Sequence, residues 1–498
     1  MRNELPMFGV LSAFILALIS FGPNDVYLGQ TIASVGCVVI VFLVMFNLGC
    51  WIAQKSREPL DWDEALFMGF SAISTVLFLC WWSGLSWIAT PMLLIGLWFF
   101  WQPLDWVYSI RIHWVVLCAV AFGLFQALSP AIDTDSVYYH LAIPQKMAQS
   151  GELVGGYMQP NGSRPALLAS IDGWLWMWGE QRSIPLFRVG LTSIMLVSFF
   201  KRSKSMLGLL VLLGSYSFVL EMGGTGQNIP AALGCWLTWW ASRKRKWWVV
   251  AIFAGTTLSI KYTSLGVLIG IWLFGMERYS ARSRFKSAGV VGMFLAIWGI
   301  RNALEGLSPV FPYSGWSESF QSLEKYGMGR DLKSLLLLPW NLLVYARPDS
   351  YTFLGVLHPI WIALPFFFIR IQRRLWLVIL CGWVFFVLGP HWIRHLVPLL
   401  PLAALGFASW KPKSIQWVFV VFVWLVGLPR NWGPLAEDIE LRMEATLSEQ
   451  AAQKLRLKIP GWTAAQWASN NTSKDSKWAV LFSWAGLGLE RRFILGSV

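Results

Sequence analysis

Apolar runs of about 15–23 residues recur along this chain, and a helix of that length is what it takes to cross a ~30 Å hydrocarbon layer. Short loops rich in Lys and Arg separate them, at Lys201–Lys204, Arg243–Lys246, Arg278–Lys286, Arg370–Arg374 and Lys411–Lys413. Of 498 residues, 56% are hydrophobic and only 13% charged. A water-soluble fold of this length could not hide so much apolar surface, so the pattern predicts an all-α, polytopic membrane protein. The net charge of +14 does not imply nucleic acid, because the cations sit in loops that the positive-inside rule places in the cytoplasm. There they would also attract anionic membrane lipids. The six Cys residues are scattered without a C-x-x-C pair and read as small core residues.

The expected spans are 7–22, 31–53, 66–82, 84–101, 112–129, 185–200, 206–221, 229–242, a pair within 247–276, 287–304, 352–370, 375–390, 396–410 and 415–429. That makes about 15, the first an uncleaved span following Arg2. The run 247–276 is short for two crossings, yet Lys244 before it and Arg278 after it both belong inside. It must go out and return, with Lys261 and Tyr262 at the turn. The plan is 1–129 for N-terminal spans, 130–184 for a first large outer loop and 185–304 for central spans. A second outer loop at 305–351, C-terminal spans at 352–429 and an outer-side tail at 430–498 complete it. Leu167–Trp178, with Trp174, Trp176 and Trp178, reads as an interfacial helix, and Leu335–Tyr345 as an interfacial or re-entrant piece.

The candidate chemistry gathers on the outer side of this topology. Directly after the fifth span come Asp133, Asp135, Tyr138, Tyr139 and His140. Carboxylates at the end of a membrane helix can take a proton and still reach a lipid-borne substrate. Equally, Asp133 fits a helix cap and Asp135 a turn. Further along are Arg164 and Arg188, Lys261-Tyr262, Arg301-Asn302 with Pro312-Tyr313, and His391-x-x-Arg394-His395. Acids facing several cations suit a reaction on a lipid-linked phosphate, although cations near helix ends also snorkel to the interface. His391 and His395 stand four apart and could share a helix face, but no E-x-x-H partner accompanies them and no metal site is assigned.

The order of these motifs resembles the GT-C superfamily of integral-membrane glycosyltransferases. That group includes the protein O-mannosyltransferases and the lipid A aminoarabinose transferases, and large bacterial members are the nearest in pattern. The resemblance rests on D-T-D-S-V-Y-Y-H-L at 133–141, Arg164-Pro165-Ala166-Leu167, Ile260-Lys261-Tyr262-Thr263, Arg301-Asn302 through Pro309 to Pro312, and Arg394-His395-Leu396-Val397-Pro398. This chain departs from the family pattern at Leu307-Ser308-Pro309, at Arg394-His395 and in its Asp-x-Asp spacing.

The resemblance implies a GT-C fold in a bacterial inner membrane, with outer-face interfacial helices and an active site facing the periplasm. It implies inverting transfer of a sugar from a polyprenyl-phosphate donor to a lipid, polysaccharide or protein acceptor. Asp135, or else Asp133, would be the general base. Arg164, Lys261, Arg301 and Arg394 would hold the donor phosphate, and Tyr139, His140, Tyr262, Tyr313, His391 and His395 would line the substrate. No cofactor is required, although some relatives use a divalent cation that Asp133 and Asp135 could ligate. Two rivals are a transporter or flippase and a non-catalytic component of envelope polysaccharide assembly. A transporter would carry inverted repeats and intramembrane charges, neither of which the sequence displays.

Overall fold

The computed structural model describes residues 25–99, 112–131, 133, 136–154, 167–309, 327–346, 353, 355–364, 372–389, 391–408, 410, 417–418, 421–425, 427, 439–459, 461–473, 477–481 and 492–496. Their regular elements are helices apart from one parallel pair of strands late in the chain. They form two compact units, one drawn from 1–190, 223–226 and 439–498, the other from 191–222 and 227–438. Among the described residues, Gly29–Lys55, Trp62–Trp82, Leu167–Ser203 and Ala281–Leu304 are long and apolar enough to cross a membrane. The expected span at 7–22 lies outside the described residues, as do 352, 354 and 365–370 of the span at 352–370 and 415–416, 419–420, 426 and 428–429 of the span at 415–429.

The first unit opens with α1 (Asp25–Lys55) and α2 (Trp62–Trp82), followed by α3 (Ser86–Phe99) and α4 (Trp114–Leu128). Asp61 and Glu64 close a capping box at the start of α2, satisfying amides that the first helical turn leaves unbonded. The backbones of α1 and α2 touch through Gly49 and Gly69, where a Cβ would run into the Ala65 and Met45 carbonyls. Without a hydrophobic drive between helices in lipid, such small-residue contacts are how they associate. After α4 come a π-helical turn (Ser136–His140) and α5 (Ala142–Ser150).

Next is α6 (Leu167–Ser203), which is two helices folded back on each other. Glu180 sits at φ 55°, ψ −160° in its middle, a combination that only glycine adopts readily. Asp172 and Arg188 lie 2.6 Å apart, whereas a straight helix would separate them by roughly 24 Å. Ser183 likewise donates to the Leu175 carbonyl at 2.9 Å. The arm after the elbow rises roughly 34 Å and could span alone; the arm before it rises only about 20 Å. This corrects the reading of Leu167–Trp178 as a helix lying in the interface. Residues 167–175 are all buried, and only Met177 and Trp178 emerge.

In the second unit the expected span 206–221 is broken. It consists of α7 (Met206–Gly214) and α8 (Tyr216–Met222), with Ser215 between them. Next come α9 (Asn228–Arg243), α10 (Trp247–Ile260), a 3-10 turn (Tyr262–Ser264), α11 (Leu265–Gly270) continued by a π turn, and α12 (Ala281–Leu304). Lys286 Nζ lies 5.6 Å from the Trp247 ring, and a Cβ on Gly255 would fall 2.5 Å from the Phe294 ring. The offset is the same at both contacts, so α10 and α12 run parallel. The 247–275 segment turns at Lys261 and comes back, since a Cβ on Gly275 would meet Ser242 Oγ at 2.9 Å.

Helices α13 (Leu332–Leu336) and α14 (Leu338–Val344) are far too short to cross. α15 (Arg373–Leu388) packs antiparallel to α11, with Gly266 against Phe385 and Gly270 against Val378. α16 (Leu400–Ala408) follows.

The tail belongs with the first unit and holds α17 (Ile439–Leu447), α18 (Glu449–Arg456) and α19 (Trp462–Asn471). Its small core joins Ala445, Ala451, Ala452 and Leu455, with Leu441 packed against them. Strands β1 (Lys477–Leu481) and β2 (Arg492–Gly496) pair in parallel, an exception to the all-α expectation.

Candidate functional site

The acidic turn in the first unit starts where α4 ends. Asp133 is exposed, and its Oδ1 accepts the Ser136 amide at 2.9 Å, which caps the π turn and fulfils the structural reading of this acid. Thr225 Oγ1 donates to Ser136 Oγ at 2.6 Å. One residue on, the Gly226 carbonyl accepts from Arg188 Nε at 2.9 Å, and Arg188 Nη2 holds Asp172 Oδ2 at 2.6 Å. A chain of polar contacts thus runs from Asp133 through the 223–226 loop to an ion pair in the interior. Gly223 lets that loop sit on α4, because any Cβ there would strike the Gly123 carbonyl. Its amide donates to Gln126 Oε1 at 3.3 Å. The rings of Tyr139 and His140, both half-buried, lie 4.1 Å apart beside this assembly. In α5 the Lys146 side chain is buried, and burial lowers its pKa to about 8. Asp135, Arg164 and Tyr313 lie outside the described residues.

The second unit sorts its charges by end. Lys261 caps α10 in extended conformation and Tyr262 follows it, both half-buried. Arg301 closes the parallel helix α12 at the same end, buried, with Nε 2.9 Å from Glu305 and its guanidinium 4.9 Å from the Trp298 ring. His391 and the 3-10 turn Ile393–Leu396 follow the end of α15 that packs toward the Lys261 turn. There the Arg394 guanidinium lies 4.4 Å from the Trp392 ring, and the His395 ring 5.2 Å from it. At the opposite end Arg374 pairs with Glu277 at 2.8 Å and Arg243 donates to Gln372 at 3.1 Å. Arg243 and Arg374 therefore lie at the end of this unit opposite Lys261, Arg301 and Arg394.

His391 and His395 do not share a helix, since a non-helical pair, His391-Trp392, precedes the 3-10 turn. His391 is fully buried, and Arg330 Nη1 lies 2.7 Å from its Nε2. Nε2 also lies 3.0 Å from the Val387 carbonyl, so it faces a group that only donates and a group that only accepts. Burial, foremost, and the neighbouring Arg330 charge lower the His391 pKa, while its contact with the Val387 carbonyl opposes them.

Three residues here escaped the sequence reading: Asp172, Lys146 and Arg330. Asp172 carried a usable signal, an acid inside an otherwise apolar helix with Arg188 as the nearest following basic residue but one. Lys146 and Arg330 carried none, because their surroundings come from distant segments. No family model, curated protein or solved structure matches the chain.

Proposed function

We propose that the chain is an inverting membrane glycosyltransferase using a polyprenyl-phosphate sugar donor, at the outer face of a bacterial inner membrane. The observation that carries this reading is the sorting of charge in the second unit. Lys261, Arg301 and Arg394 lie at one end, and Arg243, Arg373 and Arg374 at the other. By the positive-inside rule the second end is cytoplasmic, which turns the first toward the exterior. The motif order of the GT-C resemblance supports the same assignment.

In this reading an acceptor hydroxyl oxygen attacks the anomeric carbon, and the bond from that carbon to the phosphate oxygen breaks. The electron pair leaves with the polyprenyl phosphate, and Asp135 takes the hydroxyl proton. Fixed cations meet the charge that develops on the leaving phosphate. Asp133 holds the turn through the Ser136 amide.

The test is purified protein in lipid with a polyprenyl-phosphate sugar pool, scored for released polyprenyl phosphate and donor affinity. Asp135→Asn should cut turnover by ~10²-fold or more with little change in donor affinity. Arg394→Ala should weaken donor binding instead. Full turnover by both Asp135→Asn and Asp133→Asn would end the acid–base reading.

A transporter is the second reading, and two observations favour it. The Asp172–Arg188 pair is buried within an apolar helical hairpin, and the α10–α11 segment is broken at Lys261. Buried charge pairs and discontinuous helices are habits of transport pathways. Solute flux without any glycosyl product would select it.

A further inference from the structure

A cavity of about 50 Å³ lies at the elbow of α6, wholly within the first unit, walled by Gln30, Ser34, Ser129, Glu180, Arg182 and Arg456. Its position follows from where helices stop. Gln30 lies at the start of the apolar stretch of α1, Ser129 directly follows α4, and Glu180 to Arg182 open the long arm of α6. Three apolar helices therefore end at this level, which in a bilayer is the headgroup layer. Trp178, two residues before the elbow, is 52% exposed, as indoles at that layer are.

The wall carries both signs of charge. Arg182 Nη1 donates to Thr31 Oγ1 at 2.6 Å, and Arg456 Nη1 to Glu449 Oε1 at 2.6 Å. The Nε–H of Arg456 is shielded from solvent and has no hydrogen-bond partner among the described residues, an unmet donor at the cavity wall. Arg442 Nη1 reaches Ser129 Oγ from the same tail at 3.4 Å. Among the described lining residues Glu180 supplies the carboxylate, from a backbone conformation unfavourable to any side chain. Gly179 next to it is fixed by packing, because a Cβ there would press on Ser183 Cβ at 2.8 Å and Ser34 Cα at 3.1 Å. Strain held at a cavity wall marks a position kept for its side chain.

We propose that this cavity binds the headgroup of an aminoalkyl phospholipid, with its phosphate against Arg182 and Arg456 and its ammonium against Glu180. Guanidiniums match phosphate oxygens, and a carboxylate matches an ammonium. An anionic glycerol headgroup would leave Glu180 facing hydroxyls or a second negative charge. The inference rests on the membrane setting proposed above and on no step of the transfer chemistry, so binding alone tests it.

The full-length protein in detergent is examined by native mass spectrometry with an ethanolamine phospholipid and a glycerol phospholipid of identical chains. The ethanolamine lipid should be retained about tenfold more strongly, as one charge-assisted contact requires. Glu180→Gly keeps the elbow backbone at ease and removes the carboxylate, so it should fold and lose the preference. Arg182→Gln should weaken both lipids. Equal retention of the two lipids by the wild type, or a preference that survives Glu180→Gly, would overturn the proposal. Displacement of bound lipid by millimolar inorganic phosphate would overturn it too, assigning the cavity to the free ion.

Discussion

Asp172 and Arg188 stand 2.6 Å apart across an elbow, sixteen positions apart in sequence and both sealed from solvent. Each neutralises what would otherwise be a charge stranded in an apolar interior. Removing one partner of such a pair costs far more than the pair itself contributes. Arg188→Met and Asp172→Leu should each destabilise the protein by about 3–5 kcal/mol. The double variant should recover much of that loss. Thermal unfolding in one fixed detergent measures it, and single variants that melt with the wild type would show that the pair is dispensable.

Glu180→Gly should raise stability by about 1–3 kcal/mol, because it removes the cost of holding a side-chain-bearing residue in that conformation. Gly gives back part of this gain by loosening the unfolded chain. The same melting experiment serves, and a lower melting point would mean the carboxylate contributes more than the strain costs.

Sidedness follows from the ends of the second unit. Single cysteines at 261 and 394, in a Cys-free background, should react with an impermeant maleimide added outside intact cells. Cysteines at 244 and 374 should react only after lysis. Labelling of 244 from outside would invert the topology.

Acid should loosen the packing of His391. Its folded pKa lies below the ordinary 6.5, so below 6.5 the unfolded chain binds a proton that the folded chain refuses. Stability from this group therefore falls as pH drops from 6.5 toward the folded value, and rises again with pH over the same window. His391→Gln should flatten that part of the stability–pH curve, and an unchanged slope would place the acid sensitivity elsewhere. The contact at risk is Arg330, whose Nη1 meets the imidazole at 2.7 Å.

The sequence made the out-and-back course of 247–275 legible. Lys244 and Arg278 both demanded the same side, and the structure turns the chain at Lys261. Charge placement is a local signal with a global consequence, which is why it could be read. The fold-back of α6 could not be read in that way. Trp174, Trp176 and Trp178 resemble an interfacial belt, and only Trp178 among them is exposed; Trp174 packs in the interior. Burial of 167–175 depends on α2, where Trp81 donates to the Ser170 carbonyl at 2.9 Å and Ser170 donates to Ser74 at 3.0 Å. Partners 89 and 96 positions away leave no trace in periodicity. Of the site, the end-sorting of Lys261, Arg301 and Arg394 was legible from helix order. The 223–226 loop that ties Ser136 to Arg188 was not, because a short glycine run names no partner.

The glycines of α11 lie against Val378 and Phe385 of α15, which the ribosome makes roughly a hundred residues later. At translation rates of about 5–20 residues per second, that partner arrives on the order of 5–20 seconds after the hairpin. During that interval the two arms, about 21 and 16 Å long, are each too short to settle across a bilayer unaided. Until α15 is made, the neighbours that the 247–275 hairpin can pack against are α9 before it and α12 after it.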